Sequence, residues 1–241
     1  MATLLNNAGL YVGEYNLSAV LNEILLETDT DVHDVTSFGT AAFRECLLGL
    51  KGARFSASGF YDPANADAPL NDKWGDADQV VTIAAENAAA GMAYLLRGCI
   101  PTYRSGGNVG EPGVVNLTGQ TTQAPIVQGR VLHRATAANA TGTGTGQQIG
   151  AVGSTKSIYA TMHVFGIAGT GTPTITVKIQ SDDNSGFTSA TDRLTFAAAT
   201  AVGAQWVSSG PGAITDDWWR VQFTITGSSP VFGFLVGFGI F

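Results

Sequence analysis

The sequence has few charged residues, and this scarcity limits what the protein can do. Asp, Glu, Lys and Arg make up 13% of the 241 residues, well below the usual quarter of a globular chain. The net charge is −7, and the sequence contains no run of basic residues. Tight nucleic-acid binding needs Lys and Arg to neutralise phosphates, so the composition argues against it. The 44% apolar content and the low net charge argue against disorder. The low content of charged residues also suits a surface covered by neighbouring subunits.

Cysteine and long hydrophobic segments are also scarce. Cys46 and Cys99 form no CxxC or Cys/His motif, which is typical of buried thiols in a reducing compartment, although a disulfide stays open as the alternative. Residues 1–16 lack the basic start and apolar core of a signal peptide. The apolar run 230–241 is far too short to span a bilayer, so no membrane partner is expected.

Recognisable catalytic motifs are missing as well. The sequence has no GxSxG elbow, and GTGTG at 142–146 precedes neither a helix nor a Lys-Ser/Thr pair, so it is not a phosphate loop. His133 and His163 lie in alternating strand-like runs and are interpreted as residues at the edge of a core. We therefore expect no catalytic residues and no cofactor. A hydrolase is the weakest of the three functions that we consider.

The sequence does contain many short alternating runs separated by glycine-rich turns. In 175–180, for example, apolar and polar residues alternate, which predicts a strand with one buried face. The segment Ala135–Gly146 contains only Ala, Thr, Gly and one Asn, and it predicts a linker at 136–146. The linker would separate a first domain, 1–135, from a second domain, 147–241, that is predicted to be an Ig-like or jelly-roll-like β-sandwich.

One segment favours a helix. Residues 84–97 are rich in good helix formers and are followed by Gly98, so they predict the only convincing α-helix. Leu17–Asp29 fits either a helical stripe or the start of a long strand. The polar segment 61–78 is predicted to be a long loop.

Two features near the C-terminus predict close packing. In the last run, bulky residues at 232, 234, 236, 238 and 240 lie on one face, and glycines fall largely on the other, which allows another backbone to approach. Trp218 and Trp219 are adjacent in a strand and must point to opposite faces. One is expected in the core, and the other in an interface or local packing, which is favoured over stacking on a sugar.

Two oxygen-rich clusters are candidate metal sites. Asp182, Asp183 and Asn184 open a segment that ends at Asp192 between two strand-like runs. A helix-flanked calcium loop would need a final glutamate and flanking helices, which are absent, so a structural loop is favoured over a weak calcium site. The second cluster places Asp29, Asp31 and His33 on one face of a strand and Asp34 on the other, and solvent lining is favoured over a metal there.

The stretch Leu17–Pro63 resembles the opening of the tail tube proteins of long non-contractile-tailed bacteriophages. The similar features are an early LSAVLNEI, a polar strand ending in DVTSFG, and then GLKGARFSASGFYD. The resemblance extends over roughly Asn16 to Arg134. It implies a mainly β fold, in which a tail-tube-type β-sandwich or barrel with one flanking α-helix is followed by a second small β-sandwich domain.

The same resemblance implies a structural virion protein and not an enzyme. Such proteins polymerise as stacked rings, usually hexameric, into a tail tube that conducts DNA during ejection. The implied partners are further copies of the chain, the terminator, tape measure and distal tail proteins, and DNA that passes without tight binding. The implied locations are the virion tail and, during assembly, the host cytoplasm.

Three acids are candidates for the lumen lining that the resemblance implies. Asp29, Asp31 and Asp34 lie on a polar strand in the more acidic half of the chain, which has 14 acids and 8 bases in 1–135. A negative or neutral lumen would avoid holding DNA, although the acids could instead solvate an outer face. The competing function is a carbohydrate-binding module or a capsid or tail decoration module.

Overall fold

The computed structural model describes residues 7–37, 43–122 and 124–241, which form mainly β-strands. In this part of the chain, fourteen strands join into one connected antiparallel sheet with a single short α-helix beside it, so the predicted mainly β class is confirmed. The elements are β1 (Gly9–Val12), β2 (Tyr15–Asn16), β3 (Leu21–Asp34), β4 (Cys46–Phe60), α1 (Ala68–Lys73), β5 (Gln79–Ala84), β6 (Met92–Gly106), β7 (Val114–Thr121), β8 (Val127–Ala138), β9 (Gly142–Thr143), β10 (Gln147–Gln148), β11 (Ile158–Asp182), β12 (Thr191–Thr195), β13 (Gly203–Ser208) and β14 (Trp218–Ile240).

Strand β6 connects two layers in the first half of the chain. Its first part pairs with β5 and β8, and its last part pairs with β7. The register shifts between Cys99 and Thr102, beside Pro101, because proline has no N–H for a regular ladder. One layer contains β1 and β5, the other contains β3, β4 and β7, and a buried apolar cluster with members from both layers fills the space between them.

The α-helix does not lie where the sequence predicted it. Residues 84–97 form the end of β5, a turn and the start of β6. Ala84 and Ala93 are opposed in that hairpin and are both fully buried in a cluster with Tyr11 and Leu235. Small side chains therefore serve close packing between strands here, and this tertiary context overrides their helix propensity.

Helix α1 lies within the segment 61–78 that was predicted to be a loop. A π-helical turn, Pro63–Asp67, precedes it. Asp62 caps that turn, because its carboxylate accepts hydrogen bonds from the backbone N–H groups of Ala64 and Asn65 at 3.0 and 2.9 Å.

The second half is built on β11 and β14, which pair along most of their length. The register shifts three times between Val164 and Thr174, where Gly171 has a φ of +70°. Ile158 and Ile175, on either side of these shifts, belong to the same buried cluster. The long pair of strands therefore bends back on itself, and the parts before and after the bend enclose a core between them.

The back of β14 packs against the first half of the chain. A Cβ on Gly237 would lie 2.4 Å from Leu95 Cδ2 and 2.7 Å from Thr161 Oγ1. The glycine face of the last strand was predicted to allow a close neighbour, and that neighbour is another part of the same chain. Segment 136–146 contains the end of β8 and all of β9, and both strands pair with β14. The division into domains 1–135 and 147–241 stays a prediction.

Candidate assembly surfaces

Strands β3 and β4 extend beyond the sheet as a two-stranded arm, defined here as residues 29–37 and 43–52. Strand β7 pairs with β4 only as far as Arg54, so the outer parts of β3 and β4 form a ladder only with each other in the described chain. At the end of the ladder, Val35 N donates to Glu45 O at 2.9 Å, and Glu45 N donates to Thr36 Oγ1 at 3.0 Å. An isolated two-stranded ribbon is marginally stable in water, so a covering surface would stabilise the arm.

Large apolar side chains on this arm face solvent. Their exposed fractions range from 49% at Val35 to 82% at Phe43. Val32 and Leu48 are directly opposed across the two strands, so their side chains share one face. The neighbouring pair, His33 and Leu47, lies on the opposite face, so both faces of the arm expose apolar side chains. Exposed apolar surface of this kind is typical of a protein contact. The arm patch consists of Val32, Val35, Phe43, Leu47, Leu48 and Leu50.

The three lumen candidates also lie on the arm, and all three are exposed. Asp31 lies with His33 over Gly49, where an added Cβ would meet both side chains within 3 Å. Asp34 accepts the Thr36 N–H at 3.0 Å, and hydrogen bonds from the Thr36 side chain and backbone lower the pKa of its carboxyl. Among the described residues, no group of three or more His, Cys, Asp or Glu could hold a metal. A place in a lumen stays a prediction for Asp29, Asp31 and Asp34.

The solvent face of β3, β4, β7 and β6 is polar, and the sequence analysis did not identify it. Cross-strand pairing arranges its side chains in three rows, with two acids and two bases among them, so the charges balance. The alternation of Ser and Ala in 56–58 was the signal that could have identified this face. The rows are Glu23–Ser58–Asn116–Arg104, Leu25–Ser56–Thr118–Thr102 and Glu27–Arg54–Gln120.

This four-stranded layer has two open edges. In the described chain, β3 pairs with β4 alone, and β6 pairs with β7 alone from Thr102 to Gly106. Just before Thr102 the β6 edge is covered, because Trp74 Nε1 donates to Pro101 O at 3.3 Å and Gly75 N donates to Ile100 O at 3.2 Å. Unpaired strand edges are templates for pairing with another chain.

A second apolar patch lies at the other end of the same strands. Phe60 is opposed to Val114, and both are exposed, as are Tyr61 and Val109. We call these four residues the pole patch. Strand β4 runs from Cys46 in the arm to Phe60 in the pole patch, and its fifteen residues have a length of roughly 50 Å at about 3.3 Å per residue.

The loop after β11 holds the calcium candidates in a hydrogen-bonded turn. The Asp182 carboxylate accepts the Ser189 N–H at 2.8 Å and the Asn184 Nδ2 amide at 2.8 Å. The same Nδ2 donates to Asp183 Oδ1 at 2.9 Å, so an amide nitrogen stands between the two carboxylates. This arrangement suits a structural turn, and calcium binding by Asp182, Asp183 and Asn184 stays untested.

A buried polar chain connects the two halves through His163. The His163 Nδ1–H donates to Gly13 O at 2.7 Å, and Nε2 is then free to accept from Thr82 Oγ1 at 2.8 Å. Thr82 also contacts Thr161 Oγ1 at 2.8 Å. His163 is fully buried, and this desolvation lowers its pKa to about 4, although the hydrogen bond to Gly13 opposes the shift.

The two adjacent tryptophans point in opposite directions, as predicted. Trp219 is fully buried, stacks 4.6 Å from the ring of Phe238 and donates its Nε1–H to Gly150 O at 2.9 Å. Trp218 is half-buried on the outer face of β14.

Comparisons with known proteins give only weak structural likenesses. No protein-family model and no curated protein sequence matches the chain. Among solved structures, one chain of the virion of a native gene transfer agent particle aligns with a TM-score of 0.43 at 17% identity, over 51% of this chain and 96% of that one. A chain from the tail of an empty gene transfer agent particle, refined with C6 symmetry, has a TM-score of 0.38 at 18% identity, over 44% of this chain and 79% of that one.

A third likeness covers almost the whole chain. The Dit protein of phage SPP1, described as a paradigm of the hub adsorption apparatus in phages that infect Gram-positive hosts, aligns over 97% of this chain and 99% of its own. Its TM-score is 0.35 at 13% identity. TM-scores below 0.5 carry no argument about function. Among the described residues, no helix has the length and apolar character needed to cross a membrane.

Proposed function

We propose that this chain is a structural subunit of a long-tailed bacteriophage virion that polymerises as stacked rings into the tail tube and forms the conduit for DNA ejection. The observation that carries the proposal is the four-stranded layer with two open edges and a projecting apolar arm. The resemblance of Leu17–Pro63 to tail tube proteins supports it, because that stretch supplies β3 and β4. The proposed role needs no catalytic residue and no cofactor.

Ring closure is assigned to the two edges. The free edge of β3 in one copy would pair with the Thr102–Gly106 edge of β6 in the next. Because the two edges differ, the contact is heterologous and closes into a ring when the rotation between copies allows it. The resemblance to tail tube proteins makes six copies the expected number.

Ring stacking is assigned to the arm patch and the pole patch, which lie at opposite ends of β4. Complete burial of a large apolar side chain is worth about 1.5–3 kcal/mol, and the six side chains of the arm patch are between half and four-fifths exposed. Burying all six would therefore contribute about 6–12 kcal/mol to the free energy of association. Association costs about 4–15 kcal/mol in lost freedom, so one arm alone binds weakly. Several arms on one ring would act together and make stacking strong.

The solvent face of the same layer is proposed to line the lumen, with Asp29, Asp31 and Asp34 at its margin. Its balanced charges would let DNA pass without the salt-sensitive grip of a basic surface. All of these surfaces belong to 1–135, so 147–241 would be peripheral to the tube. Terminator, tape measure and distal tail proteins are the proposed partners in the virion tail, with assembly in the host cytoplasm.

Negative-stain microscopy of single-residue variants tests the proposal. Leu48→Lys in the arm patch and Phe60→Lys in the pole patch should each leave rings but abolish tubes, because each places a charge in the stacking contact. Val202→Lys is the matched control, since Val202 is 50% exposed in the second half and should leave tubes intact. Tubes from both arm and pole variants would contradict the stacking contact. A wild-type chain that stays monomeric beside other tail proteins would contradict the function and favour the decoration or carbohydrate-binding alternative.

A further inference from the structure

The two strand edges that are assigned to ring closure differ in charge. Strand β3 contains five acids and no Lys or Arg. The free part of β6, Thr102–Gly106, contains Arg104 and no acid. Neighbouring strands of the layer are antiparallel, so β6 of one copy would also lie antiparallel to β3 of the next copy in a ring of equally oriented copies. The acidic edge of one copy would then face the basic edge of its neighbour.

The charge of Arg104 is not paired within its own chain. Its side chain is exposed and makes no ion pair or hydrogen bond with any of the described residues. Asp67 also contacts this strand, but it accepts from the Tyr103 hydroxyl, and Tyr103 lies on the face opposite Arg104.

Glu23 is the acid that shares a cross-strand row with Arg104, at the other edge of the layer. Its side chain is exposed and accepts a hydrogen bond from Ser58 Oγ at 3.0 Å. Three interstrand spacings separate the strands of Glu23 and Arg104, roughly 14 Å at about 4.8 Å each. The two charges therefore lie at opposite ends of one row and do not pair within a copy.

We propose that Arg104 of one copy forms an ion pair with a glutamate of β3 in the next copy and thereby selects the register of ring closure. This assignment rests on the proposed ring. If the rows continue straight from copy to copy, the partner is Glu23. Strands of a closed barrel are tilted and their register is staggered, and a stagger of four residues makes Glu27, on the same face of β3, the partner.

The opposite face of the same two edges is complementary as well. Ile24 and Leu26 on β3 and Tyr103 on β6 are only partly buried against the core of the first half. Pairing of the edges would bring these side chains of neighbouring copies together and remove apolar surface from water. The apolar contact would contribute affinity, whereas the ion pair would disfavour registers that leave Arg104 without an acid.

Charge reversal with rescue tests the ion pair. Analytical ultracentrifugation gives the concentration at which half of the protein is in rings, and Arg104→Glu should raise it at least tenfold, because like charges then oppose each other at every junction. Adding Glu23→Arg or Glu27→Arg to Arg104→Glu should restore assembly to within about threefold of the wild type when the added change is at the partner. The rescuing position identifies the register. Lys156→Glu is the matched control, since it reverses an exposed base outside the layer and should leave assembly unchanged.

Thermal unfolding of each variant verifies that it remains folded, which is expected because Arg104 is exposed and unpaired in the single chain. Rings from Arg104→Glu at the wild-type concentration would overturn the ion pair, and so would failure of both rescues or an equal loss in Lys156→Glu. These results would leave ring closure itself standing. A wild-type chain that forms no rings would instead contradict the proposed tube, and this contact with it, so the two failures are distinguishable.

Discussion

Acid should destabilise the fold through His163, the buried residue that connects the two halves of the chain. Its folded pKa is lowered from 6.5 to about 4, mainly by desolvation. The native state therefore holds the neutral imidazole, whereas the unfolded chain takes up a proton already near pH 6.5. The stability that this difference provides is complete above pH 6.5 and is lost as the pH falls to about 4.

The size of this destabilisation follows from the shift in the pKa of His163. A difference of about 2.5 pKa units corresponds to roughly 3 kcal/mol of unfolding free energy between pH 7 and pH 4. This is a large part of the usual 5–15 kcal/mol of a folded domain. Protonation would also require the Thr82 hydroxyl to change from donor to acceptor, since Nδ1 already donates to Gly13 O.

The assay is chemical unfolding of the wild type and of His163→Gln at several pH values between 7 and 4. The variant is expected to be less stable at pH 7 but to lose about 3 kcal/mol less than the wild type on acidification, because it has no imidazole to protonate. Carboxylates titrate in both proteins and cancel in the difference. His133, whose pKa is also lowered by burial, is retained in both proteins and cancels too. Parallel pH profiles for the two proteins would refute this reasoning.

Three further predictions follow from contacts and charge. Gly237→Ala should cost about 1–3 kcal/mol in chemical unfolding, because its Cβ would clash with Leu95, whereas Gly210→Ala, with no atom within 4 Å, should be near neutral. Tyr11→Phe should cost about 1–3 kcal/mol by the same measurement, because the Arg134 Nε donor loses its hydroxyl acceptor at 2.9 Å. Duplex DNA should show no mobility shift with the protein at about 0.15 M salt, and a salt-dependent shift would contradict the neutral-lumen account.

The strands of the second half could be predicted because each has one buried and one exposed face. Alternation in 175–180 placed Ile175, Val177 and Ile179 in the core, where all three are fully buried. The same alternation predicted that Trp219 and Trp218 lie on opposite faces of their strand. Helix propensity failed to predict 84–97, because Ala84 and Ala93 are buried between strands and the alanines at 88–90 lie in the turn that joins them.

The arm shows why the assembly surface was not read from the sequence directly. The run from Cys46 to Leu50 is almost continuously apolar, which is the pattern of a strand buried on both faces. In the single chain, however, every one of these residues is exposed. The apolar pattern of a sequence reflects burial in the assembled protein, whereas the structure of a single chain shows only the burial that occurs within that chain. The difference between the two is concentrated at Leu47, Leu48 and Leu50, and this is the surface that we propose another copy of the chain covers.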